Sequence, residues 1–227
     1  SHVSSGKYIY LYFKNVFFKI KKINKRMSLK IPLNSLTKEE RNMIGKKLSF
    51  AKKQTKYNKF QPKEYVRPYS FDNDENVYIP FYFGQKMLEN NYRRERSEFR
   101  KMSTKFSGQL RPLQQTVKKE ALQLLNNQGC CLLSLYTGAG KTITSIFLAI
   151  KIGLPCLIVV HRLVLIKQWK ESIEKVCKDP KIQILNTKSE LKENIDFYII
   201  NAINATKQNF DTFNCIGTLI ADEVHVM

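Results

Sequence analysis

The twelve residues Ser134–Ser145, SLYTGAGKTITS, limit what this chain can fold into more than any other stretch. They follow a short apolar run, Cys130–Leu135, and open a periodic apolar segment, so the local reading is strand, glycine-containing loop, helix. Such a turn brings backbone N–H groups and the positive end of a helix dipole to one point, where a phosphate chain can sit. Within the loop Thr137, Gly138, Ala139 and Gly140, the two glycines allow close backbone approach. Lys141 supplies a cation for the β- and γ-phosphates, and Thr142 offers a hydroxyl to Mg²⁺. The fuller glycine pattern would begin with glycine at 135, where this chain has Leu.

A second feature lies 81 residues beyond Lys141. In TLIADEVH an apolar run delivers Asp222 and Glu223 to its end. If that run is a parallel strand, the acidic pair stands at the carboxyl edge of a sheet, where ligands bind in open α/β folds. Asp222 is then the expected Mg²⁺ ligand and Glu223 the group that polarises an attacking water. Lys141, Asp222 and Glu223 form the expected catalytic set, and ATP with Mg²⁺ the expected cofactors.

The segments around these features alternate. RPLQQTVKKEALQLLNNQG reads as a helix closed by Gly129, GKTITSIFLAIKIG and RLVLIKQWKESIEKVC as helices, and CCLLSLY, PCLIVV, KIQIL, DFYIIN and CIGTLIADEV as strands. Strands alternating with helices imply parallel neighbours joined by crossovers. On that helix Trp169 reads as core packing. The expected fold is α/β, a P-loop domain with a mainly parallel sheet over residues 108–227, preceded by a smaller basic α+β domain over 1–107.

Charge supports the division. The chain carries 39 Lys and Arg against 19 Asp and Glu, a net +20, and residues 1–110 hold 25 of the basic and 9 of the acidic groups. A surplus of this kind fits a polyanionic partner. Lys52, Lys53 and Lys56, in the run 45–59 with interleaved aromatics, are candidate phosphate contacts, as is the run 91–101. In the same half SLTKEERNMIGKKL carries a helix start, with Ser35 or Thr37 as cap and Glu39 and Glu40 in the first turn. NVYIPFYFG reads as an apolar strand, with Pro80 arguing for an edge. Tyr8–Ile20 reads as strand or hairpin, because it is interrupted by Lys14 and is too short to span a bilayer. The five cysteines show neither a CxxC pair nor a metal-ligand spacing and read as reduced thiols of a cytosol-like compartment.

GAGKT followed by DEVH resembles motifs I and II of superfamily 2 helicases, whose first domain is RecA-like. LRPLQQ, Leu110–Gln115, is similar to the element that reads adenine in that superfamily, which implies Gln114 as the adenine contact and Arg111 as its neighbour. CLIVVHRLVLIKQW resembles motif Ia, which touches the nucleic-acid backbone and implies His161, Arg162 and Gln168 as contacts. The resemblance makes His225 an internal hydrogen-bonding residue of motif II. Further upstream, IPLNSLTKEERNMIGKKLSF, VYIPFYFGQK and LRPLQQ together resemble the helicases of large cytoplasmic DNA viruses related to the poxviral transcript-release helicase, and more distantly XPB-type helicases.

The resemblance implies ATP-driven movement on nucleic acid, DNA in preference to RNA, and a second RecA-like domain in a longer chain that supplies an arginine finger. On this reading the chain is an N-terminal part, ending after motif II and nearly inactive alone. A transcription-machinery partner, a cytoplasmic viral factory or virion, and no membrane association are the accompanying expectations. A non-unwinding translocase of restriction or transcription-release type, and a non-catalytic nucleic-acid-binding module, stand as alternatives.

Overall fold

The computed structural model describes residues 7–13, 29–51, 62–72, 75–88 and 99–223. In chain order the strands and helices are β1 (Lys7–Phe13), β2 (Leu29–Pro32), α1 (Lys38–Lys47), β3 (Phe50–Ala51), β4 (Tyr65–Val66), β5 (Ser70–Asp72), β6 (Asn76–Ile79), α2 (Phe81–Met87), β7 (Lys105–Phe106), α3 (Pro112–Gln128), β8 (Cys130–Leu135), α4 (Lys141–Ile152), β9 (Cys156–Val160), α5 (Leu163–Val176), β10 (Cys177–Lys178), β11 (Ile182–Leu185), β12 (Phe197–Asn201), α6 (Ala202–Ala205) and β13 (Thr218–Asp222). They fall into two units, one of Ser1–Val16 with Ser97–Met227 and one of Phe17–Arg96. This differs from a boundary after residue 107. The first strand joins the C-terminal unit because its backbone pairs there, and the segment from 97 to 107 contributes β7, which pairs with β10.

In the larger unit a six-stranded sheet runs β11-β12-β9-β13-β1-β8. β11, β12, β9 and β13 are mutually parallel, and β1 is antiparallel to both β13 and β8, so β8 points the same way as β13. Every residue of β9, β12 and β13 is buried. This is what continuous apolar runs such as CLIVV require, since both faces of a central parallel strand must be covered. The core joins Ile146, Leu148 and Ala149 of α4 to Ile158, Phe197, Ile199 and Ile220 of the sheet and to Trp169 and Ile173 of α5. Each such fully buried large side chain contributes on the order of 1.5–3 kcal/mol. α3 ends at Gly129, whose left-handed φ of 69° accepts the C-cap without a Cβ clash.

At the amino ends of the strands, Asp196 fixes the segment that leads into α3. Its carboxylate, 0% exposed, accepts from the Arg100 guanidinium at 2.7 Å, from Ser103 N and Oγ at 3.0 Å each, and from Thr104 N and Oγ1 at 2.8 and 2.7 Å. Burial pushes this carboxyl up, but hydrogen bonds from Thr104, Arg100 and Ser103 outweigh it and hold it below its ordinary range.

The smaller unit carries an antiparallel sheet β2-β6-β5 and a two-stranded ribbon β3-β4. Leu29, Ile31, Ile44, Val77 and Ile79 are buried. Thr37 is the cap of α1: its hydroxyl accepts from Glu40 N at 3.1 Å, while Glu40 Oε2 accepts from Thr37 N at 2.9 Å. Ser35 instead donates its hydroxyl to Pro32 O. The expected edge strand through Pro80 does not form. β6 lies between β2 and β5 and stops at Ile79, and Pro80 caps α2, where its fixed φ suits a helix start.

The five thiols are free. Burial raises the thiol pKa of Cys131 to about 12 and that of Cys177 to about 11. No helix among the described residues is long and apolar enough to cross a membrane.

Candidate functional site

β8 ends at Leu135, the loop 136–140 follows, and α4 begins at Lys141. The loop turns through two left-handed glycines, Gly138 at φ 84° and Gly140 at φ 86°. The left-handed φ at Gly140 calls for glycine, and a Cβ there would also push aside the tips of the Gln114 and Arg111 side chains that hold the loop. The loop is also bound from outside. Arg111 donates to Gly138 O at 2.9 Å, and Gln114 Nε2 donates to Gly140 O at 3.0 Å. Gln114 Oε1 accepts from Arg111 N at 2.8 Å, which closes a cap on α3. Gln114 is 2% exposed; its Nε2 holds the loop while its Oε1 ties the side chain to the start of α3.

Ala139 is buried and its N–H turns back to Tyr136 O at 3.2 Å, whereas Thr137 and Gly138 are exposed. Lys141 lies over the loop and donates from Nζ to Leu135 O at 2.5 Å and Tyr136 O at 3.1 Å. The first turn of α4 aims N–H groups with no partner inside the helix at the space the loop encircles. Thr142, half-buried, is the second residue of that turn.

The acidic pair meets this loop at the same edge. β13 is parallel to β8, so Asp222 at its end and Glu223 just beyond it stand at the carboxyl edge from which the loop springs. Both are buried, at 8% and 7% exposure, and Asp222 Oδ2 accepts from Trp169 Nε1 at 2.8 Å. Glu223 has φ 57°, a left-handed conformation uncommon for a residue with a Cβ. Such local strain concentrates at working sites. Among the described residues no group of three or more His, Cys, Asp and Glu could hold a metal ion. A divalent ion at this edge would therefore need ligand phosphates beside Thr142 and Asp222, as Mg²⁺ often does. A hydroxyl, a carboxylate and the oxygens of the phosphates themselves are the hard oxygen ligands such an ion takes.

Of the expected nucleic-acid contacts, His161 and Arg162 link β9 to α5, and Arg162 and Gln168 are exposed. Their strand lies beside β13, so they share its carboxyl edge. His161 Nδ1 is buried without a hydrogen-bond partner among the described residues. Lys52, Lys53, Lys56 and His225 lie outside the described residues, as does most of the run 91–101. Sequence reasoning placed Trp169 in the core, where it is, but missed its bond to Asp222. Its position on the apolar face of α5, one turn before Ile173, signals the packing, but nothing local signals a bond across 53 residues.

Residues 107–227 match the family described as type III restriction enzyme, res subunit. The chain is 40% identical over 163 residues to "Putative helicase 161L" of Invertebrate iridescent virus 6, covering 68% of this chain and 36% of that protein. It is 37% identical over 179 residues to "Putative helicase 109L" of Invertebrate iridescent virus 3, covering 70% and 53%. To "Putative ATP-dependent RNA helicase L396" of Acanthamoeba polyphaga mimivirus it is 29% identical over 184 residues, covering 76% and 34%. The matched regions thus span about a third to a half of the length of these relatives.

Proposed function

The chain belongs to the family of the type III restriction enzyme res subunit, among the superfamily 2 helicases similar to those of large DNA viruses, and on that premise we propose that it carries the first ATP-binding lobe of a helicase or translocase that couples hydrolysis to movement on DNA. The observation that carries this reading is the convergence of the Lys141 loop and the Asp222–Glu223 pair at one edge of one sheet.

Each side chain has a task set by its place. Lys141 exchanges the carbonyls of Leu135 and Tyr136 for the β- and γ-phosphate oxygens, an exchange in which its charge gains stronger partners. Thr142 and Asp222 would hold Mg²⁺, which would supply positive charge against the charge that develops on the phosphates. Glu223, fixed just beyond the strand end, orients and polarises the attacking water. The backbone of Thr137, Gly138, Ala139 and Gly140 wraps the phosphates, held in shape by Arg111 and Gln114. Any contact of Gln114 with adenine would have to be made by an amide already engaged at both ends.

His161, Arg162 and Gln168 are the proposed backbone contacts for the nucleic acid, with Lys52, Lys53 and Lys56 adding sequence-independent grip. DNA is the proposed track; RNA is the competing one, since one relative is named as an RNA helicase. Because phosphoryl transfer depends on positioning and charge on all sides of the phosphate, a second RecA-like domain of a longer chain is proposed to supply the opposite wall and an arginine finger. The viral relatives support a viral protein; a cytoplasmic factory or virion as its place, and the transcription machinery as a partner, are part of the proposal.

An ATPase assay of the 227-residue chain, with no nucleic acid, with DNA and with RNA, tests this. The expected result is weak Mg²⁺-dependent ATP binding with very slow turnover. Fast, nucleic-acid-stimulated turnover would mean that one lobe suffices, and RNA-selective stimulation would replace DNA as the track. Failure to bind ATP at all would remove the reading.

A further inference from the structure

α5 follows directly on the His161–Arg162 link, and Trp169 lies two turns into it. The indole is 1% exposed and its N–H donates to Asp222 Oδ2 at 2.8 Å, across 53 residues of sequence. A buried indole N–H needs an acceptor, and a charge-assisted bond to a carboxylate is among the stronger ones. The ring is meanwhile buried in the same core cluster as Ile173, Ile158 and Ile220. The donor therefore cannot swing away unless α5 itself shifts against the sheet.

We propose that Trp169 is a positioning residue for the metal-binding carboxylate: its indole N–H sets the plane of Asp222, so that the affinity of the site for Mg²⁺ depends on where α5 sits. This rests on the nucleotide site proposed above. A carboxylate offers about four acceptor positions on two oxygens, and a donor held on one of them fixes the rotation that aims the rest. Partners of this kind behind a metal ligand typically carry ten- to a hundredfold of metal affinity. Since α5 begins at the residues assigned to the nucleic-acid backbone, a small shift of the helix on engaging a strand alters the indole–carboxylate bond. Occupancy of the nucleic-acid contact and grip on the metal are thereby linked, and by reciprocity metal binding biases the same contact.

The test compares wild type with Trp169→Phe, which keeps an aromatic ring and removes the donor. A fluorescently labelled ATP is titrated in EDTA and then at rising Mg²⁺. Binding in EDTA should agree within about twofold, while the Mg²⁺ concentration for half-maximal tightening should rise about tenfold or more in the variant. An unchanged Mg²⁺ midpoint would reduce Trp169 to packing and leave the nucleotide site standing; absence of any nucleotide binding in wild type would overturn both. A second measurement needs no substitution at Trp169. It is the only tryptophan in the 227 residues, so adding Mg²⁺ to the ADP complex should shift the intrinsic emission of wild type and leave that of Asp222→Asn unchanged. An emission that ignores Mg²⁺ in wild type, or responds equally in Asp222→Asn, would contradict the proposal.

Discussion

Two buried aspartates stand at opposite edges of the same sheet. Asp196, at the amino end of β12, is surrounded by donors of its own chain from Arg100, Ser103 and Thr104. Asp222, at the carboxyl end of β13, shares its edge with a glycine loop, a lysine folded over carbonyls and a glutamate in a left-handed conformation. Burial is nearly the same in the two cases, and the surroundings decide the role. A carboxylate whose acceptor positions are met by fixed backbone and hydroxyl donors holds the fold together. One set at the same edge as a glycine loop and a lysine bonded to carbonyls at that loop's entry stands where, on the proposed reading, a ligand would bind.

The largest effect should come from breaking the first of these. Asp196→Ala leaves the buried donors of Ser103 and Thr104 without their acceptor and should cost about 3–5 kcal/mol of stability, read as a lowered midpoint in urea. Asp222→Asn should change stability by no more than about 1 kcal/mol yet abolish Mg²⁺-dependent tightening of nucleotide binding. If the two substitutions destabilise equally, the comparison fails. Acid sharpens it. With its folded pKa depressed, Asp196 contributes fully above its unfolded value of about 3.9 and loses that contribution as pH falls through the folded one. The stability gap between wild type and Asp196→Asn should therefore narrow below about pH 4.

Next in size is Gly140→Ala. The left-handed φ and the overlap with Gln114 and Arg111 should cost about 1–3 kcal/mol and weaken ATP binding at least in proportion. Stability unchanged with binding lost would show that the loop adopts another shape when filled. Smaller again is Gln114→Ala, which removes hydrogen bonds worth about 0.5–1.5 kcal/mol each. If the amide only clamps the loop, ATP and GTP affinities fall together by several-fold. If it reads adenine, ATP alone suffers. Titration with both nucleotides separates the two.

The same contrast explains what could be read from sequence. The loop and its flanking strand and helix are local, and glycines before a lysine at fixed spacing carry their own explanation, so the strand–loop–helix turn with its two left-handed glycines was legible. The acidic pair was legible because an apolar run led into it. Asp196 was invisible, since its partners lie more than 90 residues upstream in a stretch without periodicity. β1 read as strand or hairpin, but its antiparallel place between β13 and β8 is a non-local pairing, and for that reason the expected domain boundary fell at 107. NVYIPFYFG misled for a different reason: short apolar runs do not distinguish strand from helix, and Pro80 marks a junction between the two. Trp169 was placed correctly by its apolar spacing, but no pattern on one helix reveals what its N–H meets on a distant strand.

On the proposed function the Lys141 loop and the Asp222–Glu223 pair form one ATP site with divided labour. Calorimetric titration of Mg²⁺–ATP into wild type, Lys141→Ala and Glu223→Gln tests it most directly, because the lysine meets phosphates of the ground state whereas the glutamate acts on water in the transition state. Under that division wild type and Glu223→Gln should bind with affinities within a few-fold of each other, and Lys141→Ala should show no measurable binding. Equal loss of binding in both variants, or unimpaired binding by Lys141→Ala, would contradict it.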